Sequence, residues 1–144
     1  MTPPEPVFTP GELDYLAAQP LGRLATAQPD GTLQISPVAF YHHPDRQTID
    51  IGGHGMAASQ KFRNVRANGR VALVVDDVAS VQPWRVRCLE IRGRGEALVD
   101  PTDSAARLPG AIIRIYALRI ISWGIDPPGL GRGSRNVPGP PPGR

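Results

Sequence analysis

The sequence predicts a mainly β protein: a small antiparallel barrel of six or seven strands with two short helices. Three observations carry that prediction. Short segments rich in Val, Ile, Leu and Thr recur from Leu21 to Ile125, separated by Pro, Gly, Asn and Asp turn signals. Only two stretches carry helix-start chemistry. The 144 residues make one domain, long enough to bury roughly two-thirds of its unfolded surface without disulfides or metals.

In chain order, residues 1–7 are proline-rich and expected to be a flexible N-terminus. Thr9 as N-cap, Pro10 at the first helical position and Glu12 at the third then make a capping box, with Phe8 and Leu13 at the two staple positions. This helix ends near Gln19-Pro20, and Leu13, Tyr15 and Leu16 dock it as a lid on a sheet. Arg23–Ala27, the turn Gln28-Pro-Asp-Gly31 and Thr32–Ser36 predict a hairpin. Pro37 removes a ladder donor, so that strand lies at an edge, is bulged, or is open to a ligand. Val38–Tyr41 resumes it, and Gln47–Ile51 returns after a turn. Val71–Val75 is apolar without alternation, which predicts burial on both faces. Trp84–Arg92 alternates, Gly93-Arg-Gly95 allows a bend before Glu96–Val99, and 100–110 is a short polar link. Residues 111–116 and 119–124 read as the last strands. The domain is thus expected over 8–126, with a Pro/Gly-rich tail at 127–144 that is extended or disordered.

The most informative stretch is Ser59–Arg70, between the glycine-rich end of a strand, Ile51-Gly-Gly-His-Gly55, and the strand at Val71. Ser59 is an N-cap, Phe62 and Val65 share one face, and Asn68-Gly69 ends the helix. Lys61, Asn64 and Asn68 fall on another face, flanked by Arg63 and Arg66. Cationic and amide donors beside an apolar anchor suit a phosphate, and Lys61 is the chain's sole lysine among 16 basic residues. The residues alone are equally consistent with a solvated basic helix face.

Composition narrows the alternatives. Net charge is +3 with pI near 9.6, which fits an anionic ligand. Aromatics are 6% of the chain and do not interleave with the arginines, which argues against a nucleic-acid surface. No apolar run is long enough to span a membrane, the N-terminus has no signal-peptide pattern, and the lone Cys88 suits a reducing cytoplasm. His42-His43 point to opposite faces of a strand and make a poor metal grip, so no metal site is expected. Cys88 reads as a small buried hydrophobe and Asp76-Asp77 as a solvated strand end. Gly129-Leu-Gly-Arg-Gly133 has no strand before it and reads as a tail feature. The side chains supply no catalytic machine of their own, so the chemistry of an enzyme here would come from a bound cofactor.

Leu24-Ala-Thr-Ala27, Pro29-Asp-Gly31, the Pro37-bearing strand, Ile51-Gly-Gly53 with Lys61-Phe-Arg-Asn-Val65, Val74-Val-Asp-Asp77 and Ile120-Ile-Ser-Trp-Gly-Ile125 together resemble the pyridoxamine 5′-phosphate oxidase-like split β-barrel family. They resemble most its branch that uses the deazaflavin coenzyme F420, and within it a subgroup containing dehydrotetracycline reductases. The resemblance spans roughly residues 8–126. It implies a cytoplasmic homodimer that binds its cofactor between two barrels and acts on a small-molecule substrate, with hydride passing to an electron-poor double bond.

Carried onto this sequence, the resemblance puts the cofactor's phosphate side toward Lys61, with Asn64 and Arg63 or Arg66 nearby, and its ring on Ser36, Pro37 and Val38. Ile51, Gly52 and Gly53 would allow close approach, His54 and Ser59 would meet the phosphate region, and Trp84 and Arg85 would reach over from the partner subunit. A bulged edge strand explains Ser36–Val38 equally well, and interface packing explains Trp84. No catalytic acid is assigned; Tyr41 is the side chain to test first. FMN in place of F420, or a non-catalytic protein that sequesters the cofactor, are the alternatives.

Overall fold

The computed structural model describes residues 5–138; the outer parts of the expected flexible N-terminus and tail, 1–4 and 139–144, lie outside the described residues. The elements are α1 (Pro10–Ala18), β1 (Gly22–Ala27), β2 (Leu33–Val38), β3 (Tyr41–His43), β4 (Thr48–Ile51), α2 (Gln60–Asn68), β5 (Arg70–Ser80), β6 (Arg85–Leu98), β7 (Ile112–Trp123) and β8 (Arg132–Asn136). Single 3-10 turns at Met56–Ala58 and Ala105–Arg107 complete the chain.

Local chemistry explains where the first elements start. Thr9 Oγ1 accepts from Glu12 N (3.0 Å) while Glu12 Oε1 accepts from Thr9 N (3.0 Å), so the predicted capping box is formed. In the β1–β2 turn, Asp30 Oδ1 accepts from Thr32 N (3.0 Å) and Gly31 takes φ +90°, a conformation that favours glycine.

All pairings are antiparallel, in the order β2-β1-β5-β6-β7-β4-β3, with β8 also on β7. β7 is where the barrel splits. One of its edges pairs with β6 from end to end. Its other edge is shared, taking β4 at Ile113–Ile115 and β8 at Arg119–Trp123. β2 is a terminal strand, so Pro37 sits at a free edge, as its missing donor requires.

Four expectations change in detail. Trp84–Arg92 and Glu96–Val99 are one strand, β6, whose register shifts between Arg92 and Gly93. A Cβ on Gly93 would lie 2.3 Å from the Tyr116 carbonyl oxygen, so the glycine serves close strand approach within the ladder. The two last segments likewise fuse into β7, because the ladder with β6 continues on both sides of Leu118, the residue left unpaired by the register shift. Arg132–Asn136, expected to lie in the tail, form β8, so eight strands are described in place of six or seven. Val71, Leu73 and Val75 are buried but Ala72 and Val74 are half-buried, so β5 alternates in burial.

The core gathers Leu24, Ile49, Ile51, Leu73, Leu89 and Ile113 from the inner sheet face. α2 packs on β1, β5, β6 and β7 and inserts Phe62 (1% exposed) and Val65 (3%). Burying such a phenyl ring contributes about 1.5–3 kcal/mol and sets the pose of the helix. Among the described residues no helix is long and apolar enough to cross a membrane.

Candidate functional site

α2 begins at Ser59, whose Oγ accepts from Phe62 N (3.2 Å) and donates to the Met56 carbonyl (2.6 Å). Ser59 is thereby committed to the cap. Asn64 is fully buried: its Nδ2 donates to Thr26 Oγ1 (3.0 Å) and Gln34 Oε1 (3.4 Å), and its Oδ1 accepts from Gln60 Nε2 (2.7 Å). It ties the helix to β1 and β2 and does not face solvent. Arg63 donates to the Ala58 carbonyl (2.7 Å) and Gln60 Oε1 (2.9 Å), and Arg66 stacks on the Phe62 ring at 5.6 Å. Asn68 donates to the Ala27 carbonyl (2.7 Å). Lys61 is half-buried in the first turn and, among the described residues, makes no hydrogen bond or ion pair. Of the cations on this helix, Lys61 and Arg66 make no side-chain hydrogen bond or ion pair among the described residues, and Lys61 is the half-buried one of the two.

Just before α2 lies an open, largely apolar cleft of about 640 Å³. Tyr41, Gly53 and His54 line it, facing Leu108, Pro109 and Gly110 from the link once read as merely polar. A Cβ on Gly53, Gly55 or Gly110 would meet nothing within 4 Å, so these residues border free space. Gly52 differs, because the room its missing side chain leaves is filled by Leu108, 3.1 Å from a built Cβ. Ile51 is fully buried in the core and does not line the cleft. Of the 51–53 run, Gly53 is the residue that borders the cleft's free space, with His54 beside it.

β2 has an inverted amphipathic pattern. Leu33 (80% exposed) and Ile35 (65%) face outward, whereas Gln34 and Ser36 are half-buried on the inner face and Val38 joins the core. Ser36 Oγ is buried and has no hydrogen-bond partner, an uncommon state for a polar atom. Gln34 and Gln60, which complete the Asn64 network, were missed in the sequence. The alternation Leu33-Gln34-Ile35-Ser36 was the available signal for the first of them.

Trp84 and Arg85 lie elsewhere. They line a second cleft of about 420 Å³ with Trp123 and Arg132, beside the loop 124–131. The structure thus groups Tyr41, Gly53 and His54, places Lys61 on the adjoining helix, and sets Trp84 apart.

Several other titratable groups are tied into the fold. Tyr15 donates to Asp77 Oδ1 (2.7 Å), and Arg87 pairs with both Asp77 oxygens (3.0 and 2.6 Å). Burial and the Asp77 carboxylate raise the Tyr15 phenol, while the Arg87 hydrogen bonds hold Asp77 below the usual carboxylate range. Asp76, its neighbour, pairs with Arg23. Asp50 and Arg114 form a buried bidentate pair (2.9 and 3.0 Å). His43 meets the Asp103 carbonyl at 2.7 Å while His42 turns to the Phe8 ring, so the two histidines do diverge. Burial raises the half-buried Cys88 thiol.

Residues 9–122 match the family described as pyridoxamine 5′-phosphate oxidase. The chain is 46% identical over 122 residues to the 5a,11a-dehydrotetracycline/5a,11a-dehydrooxytetracycline reductase of Streptomyces rimosus, covering 83% of this chain and 84% of that protein. Its backbone resembles a conserved hypothetical protein from Mycobacterium tuberculosis (TM-score 0.65, 21% identity, 85% of this chain and 89% of the other). It also resembles an FAD-binding protein from Mycobacterium smegmatis (TM-score 0.61, 20% identity, 90% and 98%). At these identities the two structures speak to the fold alone.

Proposed function

The chain belongs to the pyridoxamine 5′-phosphate oxidase family, and from that premise we propose that it is an F420-dependent reductase. It saturates an electron-poor double bond in a polyketide or quinone-like small molecule, and works as a cytoplasmic homodimer. The chain-long identity with a dehydrotetracycline reductase supports the reaction class. The observation that carries the site is the glycine-bordered cleft whose lining ends at Ala57, shortly before the helix Gln60–Asn68 that presents a half-buried Lys61 without a partner among the described residues.

The residues fit a flat ring with an anionic arm. Ser36 Oγ is an orphaned buried polar atom, Gly53, Gly55 and Gly110 border open space, and Lys61 is a half-buried cation without a partner among the described residues. When bound, the reduced deazaflavin supplies a hydride equivalent. Lys61 holds the anionic arm near the N-terminus of α2, where the backbone amides add to the attraction. Ser36 Oγ, on β2 and outside the residues that line the cleft, would offer a ring resting on that strand the hydrogen bond that its own fold leaves unmade. Ala39, Leu108 and Pro109 keep the cleft apolar and limit water. No catalytic acid is assigned; Tyr41, which lines the cleft, is the hydroxyl to test first as a proton donor to the acceptor. The outward Leu33 and Ile35 on the free edge strand supply an apolar face for the second copy.

The test is paired fluorescence titration of the protein with F420 and with FMN, followed by anaerobic mixing of the F420 complex, reduced, with a dehydrotetracycline acceptor. Perturbation of F420 at micromolar concentration and acceptor-dependent oxidation are expected. Tight binding of FMN alone would transfer the site to a flavin. Binding of F420 without oxidation by any enone or quinone would mark a sequestering protein.

A further inference from the structure

We infer, on the premise that the cleft before α2 holds the ligand, that the buried pair Asp50–Arg114 positions the wall of that cleft. The pair holds the link 103–108, and the link sets Leu108 over Gly52. Along β4 and β7, Ile49, Ile51, Ile113 and Ile115 point into the core, so Asp50 and Arg114 between them lie on the opposite face. They face each other in the ladder, at 0% and 2% exposure. Backbone hydrogen bonds already join the two strands. A buried ion pair adds little to that, since stripping water from both ions offsets most of their attraction. What the pair does hold is the link. Asp50 Oδ2 accepts from Ala105 N (2.8 Å), and Arg114 Nη2 donates to the Asp103 carbonyl (3.3 Å). The same carbonyl meets His43 Nε2 at 2.7 Å, and the Asp103 carboxylate pairs with Arg46.

From this anchorage the chain reaches the cleft within one turn. Arg107 N donates to the Ser104 carbonyl and Leu108 N to the Ala105 carbonyl (both 3.2 Å), while Ser104 Oγ donates to the Leu108 carbonyl (2.9 Å). Ala106 and Arg107 sit at φ +54° and +53°. That left-handed conformation is unfavourable for residues with a Cβ and persists where surrounding contacts impose it. The contacts that Asp50 and Arg114 make to Asp103 and Ala105 do so here. Leu108 then comes to 3.1 Å from a Cβ built on Gly52, and Pro109 and Gly110 continue the wall opposite Gly53 and His54. A link set free of the pair would carry this wall with it. Asp50 and Arg114 themselves do not line the cleft, so their effect on a ligand passes through Leu108.

The test replaces the pair by uncharged side chains, Asp50→Leu/Arg114→Met, which leaves no lone charge buried. The urea midpoint should stay near that of the wild type. Amide hydrogen exchange at Ala105, Arg107 and Leu108 should become at least about tenfold faster, while the β4–β7 ladder keeps its protection. The dissociation constant for whichever ring the wild type binds, F420 or FMN, should rise at least about threefold, because the ligand must then order the wall itself. Should the double variant not fold, Ser104→Ala removes the side-chain bond that closes the turn and should give the same two changes. Unchanged exchange in the link of a folded variant, or faster exchange with an unchanged dissociation constant, would overturn the inference. A pair that serves stability alone would lower the urea midpoint and leave the dissociation constant as it was, which also overturns it. A wild type that binds neither ring is a different failure, seen before any substitution is made: it removes the ligand site and the inference with it.

Discussion

Replacing Lys61 by alanine tests the site most directly. A hydrogen bond to a charged group contributes about 1.5–3 kcal/mol. Lys61 is half-buried, so water screens part of its field and the lower half of that range applies. Loss of the amine should therefore raise the F420 dissociation constant roughly 13- to 45-fold. Arg63, two residues on, is the matched control. Its guanidinium is already bound to the Ala58 carbonyl and Gln60 Oε1, so Arg63→Ala should change the constant less than about threefold. Fluorescence titration of both variants at low and high salt reads the difference, and the gap should narrow as salt rises. An effect of Lys61→Ala within about twofold of wild type, or a larger effect from Arg63→Ala, would refute the assignment.

Arg135→Ala strands the Glu12 carboxylate, which is 1% exposed and held by Arg135 at 2.6 and 2.8 Å. Arg135 is itself partly exposed, so the loss should fall at or just below the low end of the buried-pair range, about 2–3 kcal/mol, read from urea unfolding; an unchanged midpoint would show that water already solvates Glu12. The Tyr15–Asp77–Arg87 cluster predicts two pH limbs. The Tyr15 pKa is raised above its ordinary 10.0, so its contribution is full below about pH 10 and is lost as pH rises beyond that. Asp77 is held below 3.8, so its contribution is full above about pH 4 and is lost as pH falls. Tyr15→Phe should flatten the alkaline limb of the denaturation midpoint and Asp77→Asn the acid limb; limbs left as in wild type would place both effects elsewhere.

What was legible in the sequence was local. The α1 capping box and the Asp30-Gly31 turn each complete their hydrogen bonds within a few residues, so their residue types announce them. Lys61 stood out by being the sole lysine. Asn64 could not be read, because its partners Thr26 and Gln34 lie 38 and 30 residues away and decide that it turns inward. β8 was hidden for the same reason: Arg132-Gly-Ser-Arg-Asn136 has no strand-forming pattern of its own, and its order comes from the free edge of β7. Gly93 signalled a break but marks a bulge, a distinction set by the neighbouring Tyr116 carbonyl. The cleft wall at 108–110 depends on Leu108 filling the space over Gly52, which spacing alone does not reveal.

The clamp of β8 on α1 has a consequence for biosynthesis. Glu12 and Arg135 are separated by 123 positions, and Thr9 and Asp126 by 117. As translation proceeds from the amino end, the first helix is made 123 residues before the arginine that neutralises its carboxylate. Its seating thus waits for β8, and a nascent chain halted before residue 135 should keep that segment open to proteases.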